Sequence, residues 1–183
     1  MNPDPAARSL LDYWFSEPAR AHWFRASEDF DRELAQRFGA LHRRATNGDL
    51  DAWSDTPAGA LTLVILLDQC SRNFNRGHRD AYANDAHARR VARAAIARGF
   101  DQALDNWKRA FLYMPFMHSE SLQDQDESVR LFTAAGLDNA RYALHHREII
   151  RRFGRFPHRN QALGRESTGE ESAYLASEEA FHG

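Results

Sequence analysis

The stretch TPAGALTLVILL, residues 56–67, constrains the fold more than any other. Thr56 before Pro57 marks a helix start: the threonine hydroxyl takes an orphan amide, and proline at the first helical position gives up no hydrogen bond. From Ala60 to Leu67 the run is apolar on every side, broken only by Thr62. A helix without a polar face has to be enclosed. It is far short of the ~20 residues that cross a bilayer. The enclosure must therefore come from other helices of the same chain.

Those partners are legible as periodic stripes. Residues 5–15 carry Leu10, Leu11, Trp14 and Phe15 on one side. Ser27 caps a helix whose stripe is Phe30, Leu34, Phe38 and Leu41, with Arg43 and Arg44 in its last turn and Gly48 after it. A helix from about Asn84 repeats Ala88, Val91, Ala92, Ala95 and Ile96. Another from Asp105 runs through Trp107, Phe111 and Met114 to Pro115, where a kink or stop is expected. Two more span 121–135 and about 138 to Gly154, and Thr168 with Glu171 forms a capping box for a last one. No alternating stretch of strand length occurs. GFDQA at 99–103 and GLDNA at 136–140 lie 37 residues apart, close to the roughly 34-residue period of helix-pair repeats. The fold expected is all-α, with antiparallel helix pairs stacked in a tetratricopeptide-like right-handed superhelical layer, as one domain over 1–183.

Composition narrows the function classes. A single cysteine, Cys70, permits no intrachain disulfide and fits a reducing compartment. With no signal pattern at the N-terminus, the location expected is cytoplasmic, away from membranes. Net charge is −2 and the pI about 6.5, so nucleic acid is not an expected partner. Charge is uneven, however. Residues 139–165 hold seven arginines against one acid, Glu148, whereas 166–183 hold five glutamates.

Four stretches combine polar and aromatic residues beyond what packing requires. In LLDQCSRNF, Asp68 points inward from the buried helix and Arg72, four residues on, is placed to pair with it. In FMHSE, His118 and Glu120 turn to one side if the helix ends at Met117. In YALHHREII, Tyr142, His146, Ile149 and Phe153 follow the inward stripe, with His145 further round. In FGRFPHRNQALGREST, Phe153, Phe156 and Leu163 need burial while Arg155, His158, Arg159, Asn160 and Arg165 need acceptors. With Asp68 and Glu120 the chief acids within these stretches, positive charge is expected in excess, leaving room for an anion. No phosphate loop, dinucleotide fingerprint, nucleophile elbow or zincin motif is present. No cofactor and no metal is expected, and Cys70 reads as a small buried residue.

These stretches, together with LLDYWF near the start and Gln125 after FMHSE, resemble a bacterial family known as domain of unknown function 924, from about Leu10 to Leu175. The residues that match are Asp68, Gln69, Arg72, Asn73, His118, Ser119, Glu120, His146 and, in the last stretch, Gly154, Arg155, Phe156, Pro157, His158, Arg159, Asn160 and Arg165. The chain departs at Cys70-Ser71, where the family usually carries an aromatic residue and proline. The resemblance implies an all-α fold similar to tetratricopeptide repeats and no established activity.

Three readings follow. In the first, Asp68, Arg72, His118, Glu120, His146, Arg155, His158, Arg159 and Arg165 form a polar groove for an anionic small molecule or a peptide carboxylate. In the second, His118 and Glu120 act as general acid and base on an acidic substrate. In the third, the same residues satisfy one another as a buried network without a ligand.

Overall fold

The computed structural model describes residues 4–181, and among the described residues there is no strand. The helices are α1 Pro5–Trp14, α2 Glu17–Arg20, α3 Glu28–Thr46, α4 Pro57–Val64, α5 Ser71–Phe74, α6 Asp85–Ala97, α7 Asn106–Met117, α8 Leu122–Ala134, α9 Ala140–Phe153, α10 Asn160–Leu163 and α11 Gly169–Leu175. The all-α expectation is met. The chain falls into two compact units: unit 1 is Met1–Arg76 with Asp80–Pro115, and unit 2 is Gly77–Arg79 with Phe116–Gly183.

Unit 1 is built around α4. Thr56 Oγ1 accepts the Gly59 N–H at 3.1 Å, the cap anticipated from the sequence. A Cβ on Gly59 would fall on the Trp53 carbonyl oxygen, so only glycine lets the 3₁₀ turn Asp51–Asp55 lie against the start of α4. Every residue from Ala60 to Leu67 is fully enclosed, with α1, α3 and α6 packed around them. The helix does not end at Val64. It passes through a π-helical stretch, Ile65–Cys70, and continues as α5. Periodicity alone gave no sign of this. Rings from α1, α3 and α7 close the other end: Trp14 meets Phe111 edge-on at 5.6 Å and Phe30 at 6.3 Å. Trp23 is pinned by its indole N–H on the Trp14 carbonyl at 2.9 Å. Pro115 does not stop α7, which runs on to Met117. Proline removes one N–H bond there, and so close to the helix end that loss is tolerated.

Unit 2 rests on the antiparallel pair α8 and α9, joined through Gly136 at φ 62°. Its core holds Ile149, Ile150, Phe156 and Tyr174, with Phe153, Leu175, Ala180 and Phe181 packed against it. Gly154 ends α9 in the left-handed region at φ 68°, as its position implied. The stretch after it is no open loop, since a 3₁₀ turn at Pro157–Arg159 leads straight into α10. One inward assignment fails. Tyr142 is 47% exposed, and Ala143 takes the buried position in the first turn of α9. Both lie within a residue of the stripe that His146 and Ile149 define, and the smaller side chain fits the contact with α8.

Candidate functional site

The predicted site residues fall into separate arrangements. In unit 1, Asp68 lies in the π-helical stretch and is completely buried. Arg72 Nη1 reaches its Oδ1 at 2.9 Å, the pairing expected from their spacing. Gln69 Nε2 donates to Asp68 Oδ2 at 2.6 Å. Arg72 also grips Asp85 with both arms, at 2.9 and 3.0 Å, a partner the sequence did not disclose. Burial works against the Arg72 charge, and the two carboxylates outweigh it and hold the guanidinium firmly protonated. One turn on, Asn84 donates to Ser71 Oγ at 3.1 Å, and Ser71 lies 2.9 Å from His42 Nε2. A serine beside a neutral histidine has the form of an activated nucleophile. Ser71 is wholly enclosed, however, and substrate has no route to it. Cys70 is equally enclosed, and burial followed by the Asp68 charge pushes its thiol far above the usual range.

In unit 2 the arginine-rich stretch forms two clasps. Arg165 grips Glu120 bidentately at 2.8 and 2.9 Å, and Glu120 Oε1 also accepts the Phe156 N–H at 2.8 Å. Burial raises the Glu120 carboxyl, but these hydrogen bonds and the charges of Arg165 and Arg159 prevail and hold it below the ordinary carboxylate range. Arg155 grips Glu171 at 2.6 and 2.8 Å. Glu171 Oε2 further accepts from Thr168 N–H at 2.8 Å and Asn160 Nδ2 at 3.3 Å. The Arg155 hydrogen bond, opposed by burial and helped by the Thr168 amide, brings the Glu171 carboxyl down to about 2. The sequence marked Glu171 only as half of a capping box, which it is. Its ion pair spans sixteen residues, and no local pattern signals that.

The end of α7 is closed by side chains. Gln125 Nε2 donates to the carbonyls of Met117 at 2.6 Å and Ser119 at 2.7 Å, and Arg159 Nη2 donates to that of His118 at 2.9 Å. Arg159 is 5% exposed, with its guanidinium over the Phe156 ring at 4.5 Å. Three successive carbonyls left over at a helix end are thereby satisfied.

His146 is arranged differently. It is 4% exposed, and its Nδ1 lies 2.8 Å from the Tyr142 carbonyl. A carbonyl only accepts, so Nδ1 carries the proton and Nε2 keeps a lone pair. Burial, the nearby charge of His118, and then His145 and Arg159 hold the imidazole neutral, its pKa pushed down to about 3 against the pull of the Tyr142 carbonyl. Rings surround it: Phe181 at 4.4 Å, Phe156 at 5.6 Å and His118 at 6.4 Å. His158 lies between Phe156 at 5.5 Å and Phe181 at 5.1 Å. Arg147 Nε meets Asp126 Oδ1 at 2.5 Å, and this pair aligns the turn of α9 holding His146 with the turn of α8 holding Gln125 and Ser128. Among the described residues, Gln125 Oε1 and Ser128 Oγ are buried and find no hydrogen-bond partner.

The structure thus gathers His118, Glu120, His146, Arg155, His158, Arg159 and Arg165 in unit 2, and Asp68 and Arg72 in unit 1. Among the described residues no three histidine, cysteine or acidic side chains come together as metal ligands. No helix of the described chain is long and apolar enough to cross a membrane. A surface groove of unit 1, lined among others by Asp4, Arg8, Asp12, Tyr13 and Arg37, involves none of the predicted site residues.

A search of the curated proteins finds no match. Among solved structures, a protein of unknown function from Agrobacterium tumefaciens superimposes with a TM-score of 0.89 at 40% sequence identity, over 93% of this chain and 96% of that one. Residues 10–179 match the family described as "Bacterial protein of unknown function (DUF924)". With nearly the whole chain inside that match, and Asp68, Glu120, His146 and the 154–165 stretch all within it, the chain belongs to the DUF924 family.

Proposed function

We propose that unit 2 binds a small molecule that donates a hydrogen bond to His146. The observation that carries this reading is the tautomer of His146, whose Nδ1 is spent on the Tyr142 carbonyl. Its Nε2 is therefore the accepting nitrogen of the ring. A buried acceptor left unused costs about 1–3 kcal/mol, which a folded protein rarely spends without return. Gln125 Oε1, on the α8 helix that packs against α9, is such an acceptor: it is buried without a hydrogen-bond partner among the described residues, and both amide hydrogens of Gln125 already serve backbone carbonyls. Alcohols, phenols and amines have the complementary chemistry.

This reading moves the ligand away from an anion. The anionic groove rested on surplus arginines, and Arg155 and Arg165 each grip a carboxylate with both arms. Acid–base catalysis through Glu120 is likewise disfavoured. Both its oxygens are engaged by Arg165, and a carboxyl held ionised is a poor proton donor near neutrality.

A thermal-shift series tests the reading, with small alcohols, phenols and amines in one arm and sodium phosphate and acetate in the other. Stabilisation by a donor-bearing compound, lost in His146→Leu, is the expected result. Stabilisation by phosphate or acetate alone, lost in Arg159→Met, would return the site to anion recognition. No response in either arm would leave a closed structural network.

A further inference from the structure

We infer that Gln125 and Ser128 hold a hydroxyl group of the ligand between them, so that the compound bound by unit 2 carries an alcohol or phenol oxygen at this point and not an amine. The inference rests on the reading of unit 2 as a small-molecule site and adds a second contact, its chemistry and the residue that selects it. The amide nitrogen of Gln125 donates to the carbonyls of Met117 at 2.6 Å and Ser119 at 2.7 Å. Carbonyls only accept, so the orientation of the amide is fixed and Oε1 points away from them. Ser128 lies three residues further along α8. Both side chains are completely buried, and among the described residues neither Gln125 Oε1 nor Ser128 Oγ has a hydrogen-bond partner.

Ser128 departs from the habit of helical hydroxyls. Inside a helix such a group commonly returns to the carbonyl four residues back, as Thr62 does to Ala58 at 2.8 Å and Ser172 to Thr168 at 2.9 Å. Ser128 makes no such bond. Positions three apart share a helix face, with Cβ atoms about 5–6 Å apart, and side chains lean towards the start of the helix. Ser128 therefore leans towards the turn that carries Gln125. The two do not bond each other, and one oxygen making two bonds of about 2.8 Å is of the size that bridges such a gap. Their needs differ. Gln125 Oε1 only accepts, and the Ser128 O–H requires an acceptor. A hydroxyl meets both needs at one atom, donating to Gln125 and accepting from Ser128. An ammonium group only donates, and the lone pair of an aromatic amine is shared with its ring. Either leaves the Ser128 proton buried without a partner, which weakens binding.

The side-chain amide of Gln125 reports on the contact directly, through its nitrogen–proton correlation signals, assigned by their loss in Gln125→Glu. Ethanol and phenol are titrated, each against its amine counterpart, ethylamine and aniline. The hydroxyl compound of each pair should move the Gln125 signals at several-fold lower concentration than the amine. Ser128→Ala should abolish that preference, weakening the hydroxyl compound several-fold and leaving the amine as it was. Without ligand the same variant should melt no lower than the native chain, because the hydroxyl it removes serves nothing inside the fold. A melting temperature several degrees lower would show that the hydroxyl is already engaged, by the chain or by a held water, and would overturn the inference. Hydroxyl compound and amine acting alike, with no change in Ser128→Ala, would overturn it too and leave unit 2 as a small-molecule site. Signals that none of the four compounds moves would remove that reading along with it.

Discussion

The Arg72 junction of unit 1 and the two clasps of unit 2 use the same chemistry, a guanidinium fork on a carboxylate, in opposite settings. Arg72 serves Asp68 and Asp85 at once, and Asp68 is out of reach of water. Arg155 and Arg165 each serve one glutamate, and both guanidiniums are partly wetted, as is Glu120. In a buried junction the desolvation of each ion is already incurred, so removing one partner strands the other. In a wetted clasp, water takes over much of the role of a lost partner. The difference also follows chain separation. Asp68 and Arg72 are neighbours on one helix, whereas Glu120 and Arg165 are 45 residues apart. The first pair orients a helix that hydrophobic burial has already placed. The second decides where an otherwise irregular stretch lies.

This contrast can be broken experimentally. The largest effect is expected for Asp68→Ala, which leaves the Arg72 charge with only Asp85 and should lower stability by about 3–5 kcal/mol. A shift in the urea midpoint at unchanged slope would measure it. A loss no larger than that of the clasp variants would end the distinction between the two settings.

Acid should come next, acting in two windows. His146 binds protons less readily folded than unfolded, so its contribution is complete above about 6.5 and declines as pH falls from there towards about 3. Glu171, depressed to about 2 from 4.5, contributes fully above 4.5 and is lost as pH falls from 4.5 towards 2. Melting temperature against pH should therefore fall in both windows. His146→Leu should flatten the upper slope and leave the lower one. A profile unchanged by that substitution would show that His146 is not held neutral.

Glu171→Gln should cost less than Asp68→Ala, because Arg155 can turn to solvent. Its signature is local. Amide exchange should accelerate across 155–171 while α4 keeps its protection, and acceleration throughout unit 1 would contradict it. The smallest effect is expected for Cys70→Ala, about 1 kcal/mol or less, since little volume is removed. Native Cys70 should also resist iodoacetamide, and rapid labelling would show it is not enclosed.

What could be foreseen follows a physical line. The caps at Thr56, Ser27 and Thr168–Glu171, the end of α9 at Gly154, and the Asp68–Arg72 pair are all set within one helical turn or at one helix end. Sequence spacing determines such features, and each was read correctly. Asp85 beneath Arg72, Glu171 beneath Arg155 and Phe181 against His146 depend on where distant segments come to rest. The arginine surplus was miscounted for that reason. Glu171 lay outside the group of acids considered, although its capping role was visible. The π-helical stretch was hidden because an apolar run has no polar face to reveal a change of period. Tyr142 was misplaced because a stripe only four residues long leaves an uncertainty of one position at its first turn.

Glu171 has a consequence for the order in which the molecule assembles. A single oxygen, Oε2, receives the Thr168 amide that opens α11, the Arg155 guanidinium and the Asn160 amide. Nucleating α11 and closing the chain from 155 to 171 are thereby one event. A seven-residue helix is too short to persist by itself, and until it forms Arg155 has the Glu166 carbonyl but not the carboxylate that takes both its arms. Neither half can be a stopping point on the way to the native state. Docking of this segment belongs late on the folding route, where a weakened clasp hastens unfolding and leaves the speed of folding almost untouched.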